Sequence, residues 1–200
     1  MVNFKRILCS LLILTILPIY TFADKADERL ILPNSHAYII TSTPKDNHSD
    51  EDVVKVGGKG DACSRGYVFF NFAEKVTSDD KYTLELTSDR LSAEKVLNVY
   101  GYKYPDRTAT QIVGETVSVV TSQIGNVNLV EGTTATLDVT DYIKNNVTIR
   151  DNVAFVLVGD DKIEAYFDTS ANGIVLKKTK DNSPKRDFEI VDPDNLEISK

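Results

Sequence analysis

The chain has 200 residues, an ordinary apolar fraction of 42% and a formal net charge of −7, with 30 acidic against 23 basic residues. This balance argues against the basic face that a nucleic-acid-binding protein needs, and it disfavours a long polyanion held by bulk electrostatics. The length suits one β-rich domain, since such domains often run to about 200 residues.

Residues 1–23 have the pattern of a cleaved secretory signal peptide. Lys5 and Arg6 precede an apolar run over residues 7–20, and small residues stand before a cleavage site after Ala23. The alternative is an uncleaved anchor, but the run is shorter than the roughly 20 residues that a membrane span needs. We therefore expect a secreted, extracellular chain without membrane insertion after cleavage. Removal of the two basic residues lowers its net charge from −7 to −9.

Ten short apolar or alternating runs follow, separated by Gly, Asp, Asn, Ser and Thr, at the spacing typical of a sandwich or barrel. The predicted strands are Ala37–Thr41, Val53–Val56, Tyr67–Phe72, Tyr82–Thr87, Val96–Lys103, Thr116–Thr121, Ala135–Val139, Val153–Val158, Ile163–Asp168 and Ile174–Lys178. One short helix is predicted at TDYIKNN, with Thr140 or Asp141 capping its start and Asn145-Asn146 ending it. The predicted fold is an all-β, jelly-roll-like antiparallel β-sandwich with one short helix.

The stretch SRGYVFFNF, residues 64–72, is either a ligand-stacking surface or a core strand. Residues two apart in a strand share a face, so Phe70 and Phe72 lie on one face and Tyr67 and Phe69 on the other. A central strand of a sandwich needs an apolar inner face, and each buried ring stabilises by about 2–3 kcal/mol. We therefore expect Phe70 and Phe72 in the core.

Residues 24–180 are predicted to form the domain, and residues 181–200 a polar tail or linker. The tail is rich in charged residues, carries two prolines and has only scattered apolar residues. In the mature chain the only cysteine is Cys63, so no intramolecular disulfide is expected. Cys63 could act as a nucleophile or link two chains, but we favour the interpretation that it is simply a small residue at the start of a strand.

Several of these segments, in this order, resemble the DNRLRE-type domain, also described as a family-96 carbohydrate-binding module. Arg65 with Phe70, the run Asp138-Val139-Thr140, and the segment from Phe155 to Ser170 match its motifs within a span from Leu30 to Lys180. The resemblance implies an exported jelly-roll sandwich that acts as an accessory module and holds a polysaccharide.

The stretch NVYGYKY supplies the candidate binding residues. Tyr100, Tyr102 and Tyr104 share parity, and rings two residues apart lie roughly 6.5–7 Å from one another, which suits successive sugar rings. Leu97 and Val99 have core parity, so the tyrosines are expected outside, with Arg107 in the following loop. The alternative is that the tyrosines are structural, through cross-strand packing or through a bulge at Gly101 that exchanges the faces.

Two acidic runs could hold a structural calcium ion. We favour solvated acidic loops instead, because the spacing of the acidic residues lacks the Gly of a known calcium loop. The residues concerned are Asp46, His48, Asp50, Glu51, Asp52, Asp160 and Asp161. The two histidines, His36 and His48, are too few for a zinc site unaided, and no cofactor is predicted.

No recognisable catalytic motif is present, so we expect a protein that is not an enzyme. Two hypotheses stay open at this stage. One is a secreted non-catalytic carbohydrate-binding module with a polysaccharide as its partner. The other is a structural cell-surface or extracellular matrix protein without a small ligand.

Overall fold

The computed structural model describes residues 28–92, 95–112, 120–147, 152–159 and 162–181. The predicted signal peptide and all but the first residue of the predicted tail lie outside these ranges. Within them, no helix is long and apolar enough to cross a membrane.

The described residues form twelve strands, one α-helix and two short 3-10 turns, at Gly60–Ala62 and Ala109–Gln111. The strands and the helix are β1 Arg29–Ile31, β2 Ser35–Ile40, β3 Val53–Gly57, β4 Ser64–Asn71, β5 Asp80–Thr87, β6 Arg90–Leu91, β7 Lys95–Tyr102, β8 Val120–Leu129, β9 Thr134–Asp138, α1 Thr140–Asn146, β10 Asn152–Val158, β11 Glu164–Asp168 and β12 Ile174–Lys180.

The strands build two packed antiparallel sheets. The smaller has the order β1-β12-β5-β9, and the larger has β6-β11-β3-β4-β10-β7-β8, with β2 also paired to β4. The first strand thus pairs with the last, and β4 pairs with β10, as the chain winds back and forth between the sheets. The parts β1-β12-β5-β9 and β4-β10-β7-β8 form the double Greek key of a jelly roll, which confirms the predicted fold class.

The main core lies between the inner faces of the two sheets. On β4 this face carries Val68 and Phe70, and Phe72 continues it directly after the strand. All three are buried, as expected from their parity. Phe70 meets Phe155 of β10 edge to face at 5.9 Å between ring centroids, and Phe72 meets Tyr82 of the opposite sheet at 5.4 Å. Such aromatic contacts add to the burial energy of the rings, so SRGYVFFNF is a fold determinant.

The predicted strands are found apart from the one at Thr116–Thr121, of which residues 116–119 lie outside the described ranges. The prediction missed the short strands β1 and β6 and most of β8. In β8, buried Val127 and Leu129 alternate with exposed Asn126 and Asn128.

The predicted caps of the helix are wrong, although the helix itself and its end at Asn146 are confirmed. The residue at the N-cap is Val139, whose own side chain makes no capping hydrogen bond. The Thr140 hydroxyl instead accepts the backbone N–H of Tyr82 at 2.9 Å, while Asp138 Oδ1 accepts the N–H of Thr140. Thr140 thus ties the helix start to β5, while Asp138, the last residue of β9, satisfies the first backbone N–H of the helix.

Truncation of Phe70 tests the core assignment. Phe70→Ala should lower the free energy of unfolding by about 3–5 kcal/mol, because a large buried ring leaves a cavity. Leu30→Ala is the control, since Leu30 is 53% exposed. Chemical denaturation measures both, and a loss for Phe70→Ala as small as that for Leu30→Ala would contradict the assignment.

A buried carboxylate joins the start of β5 to the end of β12. Asp80 is fully buried, and its oxygens lie 2.5 Å from Lys180 Nζ and 3.2 Å from Lys178 Nζ. Burial alone would raise the pKa of Asp80, but the bonds from Lys180 and from Thr77 outweigh it and hold that pKa well below its usual range.

This lowered pKa predicts acid sensitivity. The stabilisation is present above the unfolded pKa of about 4 and is lost as the pH falls toward the folded one. Asp80→Asn should therefore be less stable than the wild type at pH 7, and the gap should narrow below about pH 4. Melting temperatures from pH 7 to pH 2 measure it, with the exposed Asp141→Asn as control. A gap that stays constant with pH would contradict the ionic role.

Candidate functional site

The tyrosines of β7 lie on the outer face of the larger sheet, as their parity predicted. Leu97 and Val99 point into the main core. The pairing of β7 with β8 shifts register around Tyr100, but the faces are not exchanged. Gly101 still lies on the inner side, where a Cβ atom would collide with the Tyr142 ring of α1.

Tyr102 is buried rather than exposed, with only 2% of its surface accessible. Its ring packs edge to face against Tyr67 at 5.6 Å and Phe69 at 5.8 Å between centroids, both from the outer face of β4. Together they belong to an outer cluster, a second small core on this face. The outer cluster comprises Ala37, Ile39, Tyr67, Phe69, Tyr102, Ala109, Ile112, Ala154 and Val156. The sequence did not show that the chain after β7 folds back over Tyr102.

The segment that covers Tyr102, the strap, comprises residues 103–112. Its buried residues Ala109 and Ile112 close the outer cluster. Asn47, from the loop after β2, clamps the strap by donating both amide hydrogens, to the carbonyl oxygens of Ala109 at 2.8 Å and Ile112 at 2.6 Å. This engagement gives Asn47 a structural role within its glycosylation sequon, Asn47-His48-Ser49.

Tyr104 and Arg107 meet at the exposed end of the strap. Tyr104 is 45% exposed, and the Arg107 guanidinium lies 4.4 Å from its ring centroid. Arg107 Nη1 also donates to the Tyr102 hydroxyl at 3.4 Å, while the Tyr102 and Tyr104 rings contact edge to face. The pair therefore rests on the buried ring of Tyr102, which holds it in place.

Tyr100 lies toward the other, open end of the outer face. It is half-buried and lines a hollow of about 240 Å³ with Arg65, Val120 and Val158. Sequence reasoning placed Arg65 in a family motif but not in the site. Its shared parity with Tyr67 and Phe69 was the signal that it belongs to this face.

The acidic loop after β2 makes a hydrogen-bonded cluster around Glu51. The Tyr38 hydroxyl donates to one oxygen of Glu51 at 2.7 Å, and His48 Nδ1 lies 2.8 Å from the other. The rings of Tyr38 and His48 stack at 4.3 Å. The pKa of Glu51 is lowered, chiefly by the hydrogen bond from Tyr38 and also by His48. Burial acts in the opposite direction but is outweighed.

The metal hypothesis gains nothing from this loop. Among the described residues, no three His, Cys, Asp or Glu side chains are grouped closely enough to hold a metal ion. Asp160 and Asp161, from the second acidic run, lie outside the described ranges.

A polar groove of about 650 Å³ lies where α1 meets β8. Many of its side chains are already used by the fold: Lys144 Nζ donates to the carbonyl of Ser78, and Lys81 pairs with Asp181 at 3.0 Å. Asp141 and Asn145, one helical turn apart, face it without a hydrogen-bond partner among the described residues. The groove is the alternative place for a polar ligand.

No protein-family model matches the chain, and no curated protein matches it either. The resemblance to the DNRLRE-type domain therefore stays a prediction that depends on the motifs themselves.

Loss of the Asn47 clamp should loosen the strap. Asn47→Asp removes two donors and sets a carboxylate against two carbonyl oxygens, so we expect a loss of about 1–3 kcal/mol in the free energy of unfolding. Ser49→Ala is the control, because it abolishes the same sequon and keeps the Asn47 amide. Denaturation and amide exchange at residues 109–112 measure the effect, and equal behaviour of the two variants would contradict the clamp.

Proposed function

We propose that this protein is a secreted non-catalytic carbohydrate-binding module that holds a polysaccharide. The observation that carries the proposal is the outer face of the larger sheet, where tyrosines and guanidinium groups are gathered. Tyr104 with Arg107 stands at one end, and Tyr100 with Arg65 at the other.

The residue types suit saccharide recognition. A tyrosine ring offers an apolar body for the C–H face of a sugar, and its hydroxyl is a polar handle for hydrogen bonding. A guanidinium supplies several N–H donors for hydroxyl oxygens. Because binding on an open sheet face leaves the ligand wet, each contact is expected to contribute modestly.

The burial of Tyr102 refines the binding surface that the sequence predicted. Tyr102 supports its neighbours from below, since it packs against Tyr104 and accepts a hydrogen bond from Arg107. The rings available for contact are then Tyr104, nearly half exposed, and Tyr100, at the open hollow. Rigid rings of this kind lose little conformational entropy on binding.

In the jelly roll, the inner face of the larger sheet packs in the main core, so the outer face is available for binding. The main core uses one face of β4, β10 and β7, and the outer faces of the same strands carry the candidate site. Substitution of an exposed outer residue can therefore change binding with little effect on stability.

A structural role at a cell surface is the second candidate, and one feature favours it. β1 is an edge strand of the smaller sheet, and Leu30 and Leu32 beside that edge are more than half exposed. An uncovered strand edge with apolar side chains can pair with another chain. Concentration-dependent association of the mature chain that Leu30→Lys abolishes, without retardation by any glycan, would favour this candidate.

Tyr104→Ala tests the carbohydrate proposal. We expect the mature chain to be retarded in a native gel containing one polysaccharide of a panel of xylan, mixed-linkage β-glucan, galactomannan and pectin. Tyr104→Ala should weaken that binding by about 5- to 10-fold, the size of an aromatic contact of about 1–1.4 kcal/mol.

Asn145→Ala is the matched control, because it removes from the groove beside α1 a polar side chain with no hydrogen-bond partner among the described residues. It should bind as the wild type does. A loss with Asn145→Ala and none with Tyr104→Ala would move the site to the groove. No retardation of the wild type in any gel would contradict the proposal.

A further inference from the structure

Arg65 occupies an unusual position on the outer face of β4. It points to the same side as Tyr67 and Phe69, and its cross-strand neighbours are Ile39 on β2 and Val158 on β10. Its side chain is half-buried, so its charge is partly withdrawn from water among apolar neighbours.

The guanidinium of Arg65 has no hydrogen-bond acceptor or carboxylate partner among the described residues. The other three described arginines are engaged: Arg29 pairs with Glu74, Arg90 lies over the Tyr166 ring, and Arg107 lies over Tyr104. A partly buried arginine is normally paired, because desolvation of an uncompensated charge is unfavourable. Among the four described arginines, Arg65 is thus set apart by having no partner within the described part of the chain.

Two hollows open on either side of Arg65. The larger, of about 240 Å³, is shared with Tyr100, Val120 and Val158. The smaller, of about 80 Å³, is lined by Arg65 with Ile39, Thr41, Pro44 and Tyr67. Arg65 is common to both, so its donors stand between two recesses with mainly apolar walls, each of which has a tyrosine in its lining.

We propose that Arg65 is the residue that orients the saccharide at the open end of the outer face. One sugar ring would lie in the larger hollow against Tyr100, and the chain would continue over the smaller hollow. The Arg65 N–H groups would donate to hydroxyl or ring oxygens at the junction. This assignment rests on the proposed carbohydrate-binding function and adds to it a specificity-determining residue.

The geometry distinguishes Arg65 from Arg107, the arginine that the sequence suggested. Arg107 is exposed on the strap and stacks on Tyr104, where it extends the surface. Arg65 is on a central strand paired on both sides, so its position is fixed by the sheet. Precise hydrogen bonding favours residues on such rigid elements over those on loops.

Arg65→Met tests the assignment, because it keeps an apolar stem and removes every donor. In the native-gel panel of xylan, mixed-linkage β-glucan, galactomannan and pectin, we expect Arg65→Met to weaken binding at least 10-fold on the glycan that retards the wild type. Arg65→Lys, which keeps the charge but loses the planar fork of donors, should weaken it several-fold. Arg90→Met is the control, a cation of the same sheet over a different tyrosine, and should bind as the wild type does.

The outcomes separate this assignment from the proposed function. If Arg65→Met binds as the wild type while Tyr104→Ala loses affinity, the Arg65 assignment is overturned and the proposed function stands. If the wild type is not retarded by any of the four glycans, both are overturned. Melting curves of each variant accompany the gels. If Arg65→Met fails to fold, the affinity of Arg65→Lys is compared with that of the wild type instead. Equal affinities of these two proteins would overturn the assignment.

Discussion

The pairing of β4 with β10 is the interaction on which both the fold and the candidate site depend. β4 is buried on both faces, and it is held from Arg65 to Asn71 by an antiparallel register with β10. Its inner side places Phe70 against Phe155 in the main core, and its outer side places Phe69 against Tyr102. Because residues alternate between faces along a strand, the eight residues of β4 contribute both to the main core and to the support of the outer surface.

The outer cluster gives that surface its rigidity. An isolated β-sheet face with exposed tyrosines would leave the loop after β7 free to move. Here the strap is closed by Ile112 from within and is clamped by Asn47 from outside. Tyr104 and Arg107 thus lie on a loop, where binding residues are commonly found, but on a loop anchored to the sheet. The buried ring of Tyr102 therefore helps to hold Tyr104 and Arg107 in position.

Much of the fold could be predicted from the sequence, and the reasons are physical. Strand parity placed Phe70, Phe72, Leu97 and Val99 in the main core, since alternation is a local property of the chain. The short helix was evident from its composition, but its caps were not. Whether Thr140 caps the helix or binds Tyr82 of β5 depends on a neighbour 58 residues away.

The candidate site was less predictable because it depends on contacts distant in sequence. The spacing of Tyr100, Tyr102 and Tyr104 gave the correct face but not the burial of the middle ring, which the strap and the rings of β4 determine. Arg65 is likewise defined by what surrounds it, namely Val158 from β10 and Tyr100 from β7. No pattern along the chain shows that Arg65 has no partner among the residues the structure describes.

The most direct test of the account is a map of the ligand on the protein by nuclear magnetic resonance. Amide chemical shifts of the mature chain would be followed during titration with an oligosaccharide of the glycan that retards it. The account predicts that the shifts concentrate on the outer rows of β4 and β7 and on the strap, around residues 65, 100 and 104–107. Shifts confined to α1 and the facing end of β8, or no shifts at saturating oligosaccharide, would contradict it.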